Sequence, residues 1–124
     1  MSLLFEKETY KIIGLAQDVH NELGSGFMEV VYHDALEIEF KRSIMPYKRE
    51  FPISIYYKNE KLDRTYYADF YCYDKIIVEV KAKKSITDID YAQTLHYLKA
   101  TNKRLGLLIN FGELSLKVKR IING

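Results

Sequence analysis

One cysteine, two prolines and no long apolar run are all that 124 residues offer to the devices special folds depend on. Cys72 has no partner for an intramolecular disulfide, and a cysteine-rich zinc site is excluded with it. It reads as a small apolar strand residue. The longest apolar stretch, residues 105–109, is far short of the ~20 residues a membrane helix requires. Glu6, Lys7 and Glu8 stand where a signal-peptide core would lie. A cytoplasmic protein without membrane contact is expected. The three histidines, His20, His33 and His96, are widely separated, so neither a zinc hydrolase nor a Ser/His/Asp hydrolase has support. No internal repeat, low-complexity tract or linker interrupts the chain.

What is present describes an ordinary core. With 48% hydrophobic and 29% charged residues, the chain is expected to form a single domain over residues 1–124, stable without staples. The net charge of +2 hides an uneven distribution. Residues 1–40 hold eight acids against Lys7 and Lys11, whereas residues 41–124 hold 17 bases against nine acids. Such a basic segment is one route to a surface facing nucleic acid, and equally to simple solubility.

Apolar residues at Ile12, Leu15, Ala16, Val19 and Leu23 recur at three- and four-residue steps, which predicts an amphipathic helix over about 8–23, stopped by Gly24-Ser25-Gly26. A second helix is expected over about 28–41, its buried stripe formed by Val31, Ala35 and Ile38, with Leu36 and Phe40 as further candidates. From Tyr47 the residues become β-branched and aromatic. Phe51, Ile53, Ile55 and Tyr57 share a face, and Pro52 marks an edge strand. After the polar turn at 58–61, strands are expected over 62–73 and 75–82. Thr87 with Asp90 forms an N-cap signature for a helix to about Thr101, burying Ile89, Ala92, Leu95, Tyr97 and Leu98. Residues 105–110 read as a buried strand, a candidate parallel neighbour of the third. Leu114, Leu116 and Val118 alternate with outward lysines in a last strand. The fold class is α/β with a mixed sheet flanked by helices.

Chemistry concentrates in the third strand. In Val78-Glu79-Val80-Lys81, Glu79 and Lys81 project from one face while the valines enter the other. Asp69 lies ten residues earlier, on the preceding strand. The two acids face each other only if paired residue numbers sum to 148, which requires an odd loop such as Tyr73-Asp74-Lys75 or a bulge. Two carboxylates beside a lysine suit a hard divalent ion such as Mg²⁺, with Lys81 orienting water or stabilising phosphate charge. Taken singly, each residue also has a plain reading: Glu-x-Lys as a cross-strand salt-bridge pattern, and Glu29 as a first-turn acid.

Asp69 and Glu79-Val80-Lys81, in an order of helix, three strands, helix and strand, resemble the PD-(D/E)XK nuclease superfamily and its restriction-endonuclease-like αβββαβ core. Gly26-Phe27-Met28-Glu29-Val30-Val31-Tyr32 is similar to the pattern that names the GxxExxY proteins, a branch of that superfamily. The resemblance runs from the first helix to the closing Leu108-Ile109-Asn110-Phe111-Gly112. It implies that Glu29, Asp69 and Glu79 hold Mg²⁺ or Mn²⁺ and that Lys81 is the motif lysine. It also likens Gln93-Thr94-Leu95-His96-Tyr97 to the Q-x-x-x-Y signature of RecB-like nucleases. Gln93 and Tyr97, with Tyr32, would support the site or contact nucleic acid. Ala68 replaces the proline that gives the superfamily its name.

Two functions follow as expectations. The first is a Mg²⁺- or Mn²⁺-dependent nuclease cutting phosphodiester bonds in DNA, or less readily RNA, with Lys83 and Lys84 on flanking phosphates. The second is a catalytically silent module that retains the fold and binds nucleic acid or protein. In either case a second copy of the chain, or a partner protein, would supply specificity.

Overall fold

The computed structural model describes residues 3–124. Helices α1 (Glu6–Leu23) and α2 (Glu29–Arg42) precede β1 (Tyr47–Tyr57), β2 (Glu60–Cys72) and β3 (Ile76–Lys81). Helix α3 (Asp88–Thr101), β4 (Leu105–Asn110) and β5 (Lys117–Ile122) complete the chain. The five strands form one sheet in sequence order. All neighbours are antiparallel except β3 and β4, which run parallel because α3 carries the chain across between them. This is the α/β architecture expected, a mixed sheet flanked by helices, with helix, three strands, helix and strand in the expected order. Among the described residues no helix is long and apolar enough to cross a membrane.

The sheet is covered on both faces. Helices α1 and α2 pack on one side over Phe70, Cys72, Ile76, Val78, Val80 and Leu107. Helix α3 covers Ile53, Ala68, Tyr71, Ile77 and Leu108 on the other. Cys72 is fully buried in the first layer, and its burial pushes the thiol well above the usual range, so it is an inert core residue.

Loop chemistry sets the registers. Lys58 and Asn59, both in left-handed backbone, form a two-residue hairpin turn between β1 and β2. Residues 73–75 form a three-residue loop between β2 and β3 with Tyr73 and Asp74 left-handed, and the pairs Phe70↔Val78, Tyr71↔Ile77 and Cys72↔Ile76 all sum to 148.

Three expectations about faces are corrected. On α2 the buried residues are Tyr32, Leu36 and Phe40, whereas Ile38 is half exposed and Val31 and Ala35 are only partly covered. Tyr32, Leu36 and Phe40 recur every four residues and form one continuous stripe. On α3, Ile89 is 80% exposed and Ala92 is also exposed, while Thr94 takes the buried position. The last strand starts at Lys117, leaving Leu114 in an exposed loop.

Strand alternation also breaks. Tyr47 and Arg49 face α2, yet Phe51, Ile53 and Ile55 face α3. On β2, Ala68 and Tyr71 face α3 while Phe70 and Cys72 face the other helices. Strict period-two geometry forbids both patterns. The break lies at Glu50, which is left-handed (φ 54°), and at its neighbour across the ladder, Asp69.

The α3 N-terminus carries a complete capping box. The Asp90 amide donates to the Thr87 hydroxyl, and Asp90 Oδ2 accepts from the Thr87 amide at 2.9 Å and from Lys83 Nζ at 2.8 Å. Burial alone would raise the Asp90 carboxyl, but Lys83 and Thr87 outweigh it and hold the group below its usual range. A depressed folded value means stability that is present above the unfolded pKa and lost as pH falls through it. Asp90→Asn is therefore expected to lower stability at pH 7 by roughly 1 kcal/mol, with a lower Tm, and to flatten the acid side of the stability profile. Thermal melts between pH 3 and 7 check this; parallel wild-type and variant profiles would contradict it.

Candidate metal and phosphate site

The site forms where β2 parts from β3. The ladder between them ends at Phe70↔Val78, leaving the next backbone N–H groups without strand partners. Side chains take over. The Asp69 amide donates to Glu79 Oε2, and the Val80 amide donates to Asp69 Oδ2, each at 2.7 Å. Each carboxylate thus grips the opposite strand, and the two acids expected to meet do so at the fork.

Glu79 is 3% exposed. Its burial, and secondly the Asp69 charge, push its carboxyl well above the usual range, although the Asp69 amide and Lys81 act in the other direction. Lys81 leaves the same face of β3, and its Nζ donates to Gln93 Oε1 on α3 at 3.3 Å. Tyr97, one turn further along α3, is 7% exposed; its burial, with the Glu79 and Asp69 charges, raises the phenol to about 12.

Helix α2 contributes from the other side. Glu29 opens its first turn, and burial raises its carboxyl despite the nearby Lys81 charge. His33, one turn on, was not among the residues the sequence singled out. Its Nε2 lies 3.4 Å from Asp69 Oδ2 and 3.5 Å from Glu29 Oε1. Burial alone would lower the imidazole, yet Asp69 and Glu29 outweigh it and raise the pKa. The Glu29-x-x-x-His33 spacing, which puts both on one helical face, was the signal available for it.

One ligand atom from each of Glu29, His33 and Asp69 lies within 4.8 Å of the others. Glu79 stands outside this trio. His33 Nε2 is buried without a well-formed hydrogen bond, the only such side-chain atom among the described residues. A proton on this nitrogen pairs with both carboxylates; in its neutral form the imidazole and those oxygens offer a ligand set for a divalent cation.

The loop before α2 explains the Gly-x-x-Glu-x-x-Tyr heptad. Gly26 adopts φ +112°, which side chains disfavour. Tyr32 is wholly buried, stacked on Phe111 at 4.8 Å, its hydroxyl donating to the Gly24 carbonyl at 2.6 Å and accepting from the Phe27 amide. Tyr32 therefore pins the loop that aims Glu29. A surface contact to nucleic acid is closed to it.

Of the two expected phosphate lysines, Lys83 is committed to Asp90, and Lys84 is exposed without an ion pair among the described residues. The Lys83 backbone is clamped by buried Asn110. Asn110 Oδ1 accepts from the Lys83 and Gly112 amides, and its Nδ2 donates to the Lys83 carbonyl and Glu113. A Cβ on Gly112 would fall 2.3 Å from the Lys83 nitrogen, so only glycine fits against this loop.

The fold and the site together define an α/β domain with clustered acids and a lysine at a strand fork, the framework of nuclease-like enzymes. The model of the PD-(D/E)XK nuclease superfamily matches residues 6–121, and the chain belongs to that superfamily. A solved structure titled "Crystal structure of SSO0001" superposes with a TM-score of 0.62 at 18% identity, over 77% of this chain and 50% of that one. The chain thus spans half the length of that neighbour, and the likeness extends to the fold. No curated protein matched.

Because the folded state favours a protonated Glu79, it binds a proton that the unfolded chain releases, and stability falls as pH rises above the ordinary carboxylate value. Glu79→Gln keeps an oxygen for the Asp69 amide and removes the charge. In metal-free buffer at pH 7.5 this variant is expected to melt on the order of 5 °C higher than wild type, with the gap closing toward pH 4.5. A lower Tm for the variant in differential scanning calorimetry would show that the ionised carboxylate is the stable form.

Proposed function

We propose that the chain is a divalent-metal-dependent nuclease of the GxxExxY branch, hydrolysing phosphodiester bonds in DNA in preference to RNA. The observation that carries this reading is the buried His33 nitrogen set between the Glu29 and Asp69 carboxylates at 3.5 and 3.4 Å, beside the Glu79-x-Lys81 strand. Glu29, His33 and Asp69 would hold the ion, with Glu79 beside Asp69 as a further candidate ligand. An imidazole among oxygen donors favours Mn²⁺ over Mg²⁺, since imidazole suits transition metals and Mg²⁺ prefers oxygen alone. When bound, the ion supplies a lower pKa for attacking water and neutralises phosphate charge.

The chain's own residues do the rest. Lys81 places its ammonium at the edge of the acid cluster, where it stabilises charge developing on the phosphate. Gln93 acts as a positioning residue, holding Lys81 Nζ through its amide oxygen. Asp69 and Glu79 are fixed by the backbone amides they accept, so they are preorganised with no rotamer search. Lys84 is the free cation of the loop after β3 and suits a neighbouring phosphate, whereas Lys83 holds the loop in shape.

The test is cleavage of single- and double-stranded, linear and circular DNA and RNA with Mn²⁺, beside Lys81→Ala, with Mn²⁺ binding measured by calorimetry on wild type and His33→Ala. Lys81→Ala is expected to lose at least 100-fold in rate while binding Mn²⁺ normally, and His33→Ala to bind Mn²⁺ roughly tenfold or more weakly. Full activity in Lys81→Ala would remove that residue from the chemistry. Metal binding without cleavage of any substrate would favour the silent nucleic-acid- or protein-binding module.

A further inference from the structure

The hairpin of β1 and β2 is longer than the strands beside it, 11 and 13 residues against six in β3, so its far half projects past the sheet. Between this projecting ribbon and α3 lies a groove of about 450 Å³. Ile55, Leu62 and Tyr66 line it from the ribbon, and Ile89, Gln93 and Tyr97 from the helix. Ile89, an apolar residue in the first turn of α3, is 80% exposed here, and Leu62 and Tyr66 are each 43% exposed. Apolar side chains gathered around a cavity and left open to solvent mark a binding surface.

The groove is continuous with the site. Gln93 lines it while its amide oxygen holds Lys81, and Tyr97 lines it while its phenol feels the Glu79 and Asp69 charges. Whatever occupies the groove is thus one side chain away from the phosphate the site would hold. A nucleotide has that form: an anionic phosphate joined through a sugar to a flat apolar base. Tyr66 offers a ring 6.3 Å from Tyr97, tilted 44° to it, as a stacking face. His96 and the Gln93 amide NH₂ offer polar partners to a base edge.

Building on the nuclease reading, we infer that this groove receives an unpaired nucleobase adjoining the scissile phosphate, so that the substrate is single-stranded nucleic acid or an unpaired end. In an intact duplex both faces of each base are covered by stacking and its edge is paired, and the ribbon and α3 cannot reach it. A base leaving an unpaired strand carries no such cost, and stacking on an aromatic ring is worth about 1–3 kcal/mol per base.

Binding is measured without cleavage, in Ca²⁺, by anisotropy of a labelled single-stranded oligonucleotide, the same strand with one internal abasic position at each register, and the corresponding blunt duplex. Tyr66→Ala and Ile89→Ser are expected to weaken binding of the intact single strand about tenfold and to leave duplex binding unchanged. Tyr10→Ala, which removes an exposed tyrosine on α1, serves as the control. For one abasic register the affinity of wild type should fall to that of Tyr66→Ala, and the variant should lose nothing further. Circular dichroism melts establish that the variants fold.

Equal losses on single strand and duplex, or no loss on either, would overturn the proposal; a groove built for a peptide gives the second result. The outcome is separable from the nuclease reading. Base-dependent binding without cleavage would leave the groove standing and remove catalysis, whereas cleavage indifferent to Tyr66 and Ile89 would do the reverse.

Discussion

The structure turns on the crossed hydrogen bonds by which Asp69 and Glu79 each hold the other's strand. Two antiparallel strands cannot diverge inside a fold without leaving backbone N–H groups unpaired, and each such group costs about 1–3 kcal/mol when buried. Here two carboxylates replace the missing ladder bonds at 2.7 Å, so β2 can leave β3 and continue only with β1. The fork creates the concave space that Glu29 and His33 enter from α2. It also brings two ionisable acids together there, Glu79 giving up its proton when a cation offsets the Asp69 charge beside it. A neutral amide at position 79 could accept the same bond, but it could not ionise to hold a cation at the fork. Structural and chemical demands on these two residues therefore coincide.

Around the fork, each surrounding loop is tied by one buried polar residue. Tyr32 fixes the loop before α2 through Gly24 and Phe27, and leans on Phe111 from the loop after β4. Asn110 makes four hydrogen bonds and joins that same loop to the segment after β3. Asp90 then ties that segment, through Lys83 and Thr87, to the start of α3, from which Gln93 reaches Lys81. The chain of contacts closes on the site. A substitution at Tyr32 or Asn110 would act at a distance, through the aim of Glu29 or Lys81.

The order of elements and the parallel β3–β4 pairing were legible in the sequence because each rests on a local signal. Thr87 with Asp90 marks a helix start, and an apolar run bounded by turns marks β4. The register was legible as a condition, and the positive-φ residues Tyr73 and Asp74 met it. Which face of each helix is buried was less so. Helix α2 carries apolar residues on more than one face, and the choice of Tyr32, Leu36 and Phe40 over Val31, Ala35 and Ile38 depends on where Phe70 and Phe111 lie. Ile89 fits the periodicity of α3 but faces the groove, since the ribbon opposite stands too far off to cover it. The face reversal had little signature: Glu50, which takes the left-handed backbone, is not a residue that favours it, and Asp69, though of a type depleted in strands, specifies no reversal by itself. His33 has no histidine at metal-ligand spacing along the chain; its partners are carboxylates on its own helix and on β2.

The charge asymmetry takes on a different meaning in three dimensions. Read along the chain, an acidic N-terminal third and a basic remainder suggest a metal site set against a phosphate-facing surface. In the fold, much of this charge is matched internally. Arg49 on β1 takes Asp34 and Glu37 from α2 at 2.9 Å, and Lys75 takes Glu8 from α1 at the same distance. Pairs like these add little stability at a surface, but they occupy Asp34 and Glu37 of α2. Glu29, the α2 acid beside His33, is left facing the fork. On the basic side, Lys83 is likewise spoken for by Asp90, which leaves Lys81 and Lys84 as the cations of that segment open to a phosphate. The field at the site is therefore set by a few groups: three carboxylates, one imidazole and Lys81. A polyanion approaching it meets a small, fixed cluster with exposed Lys84 beside it for a neighbouring phosphate, and the apolar groove beside Gln93 is the surface placed to add contacts that are not ionic.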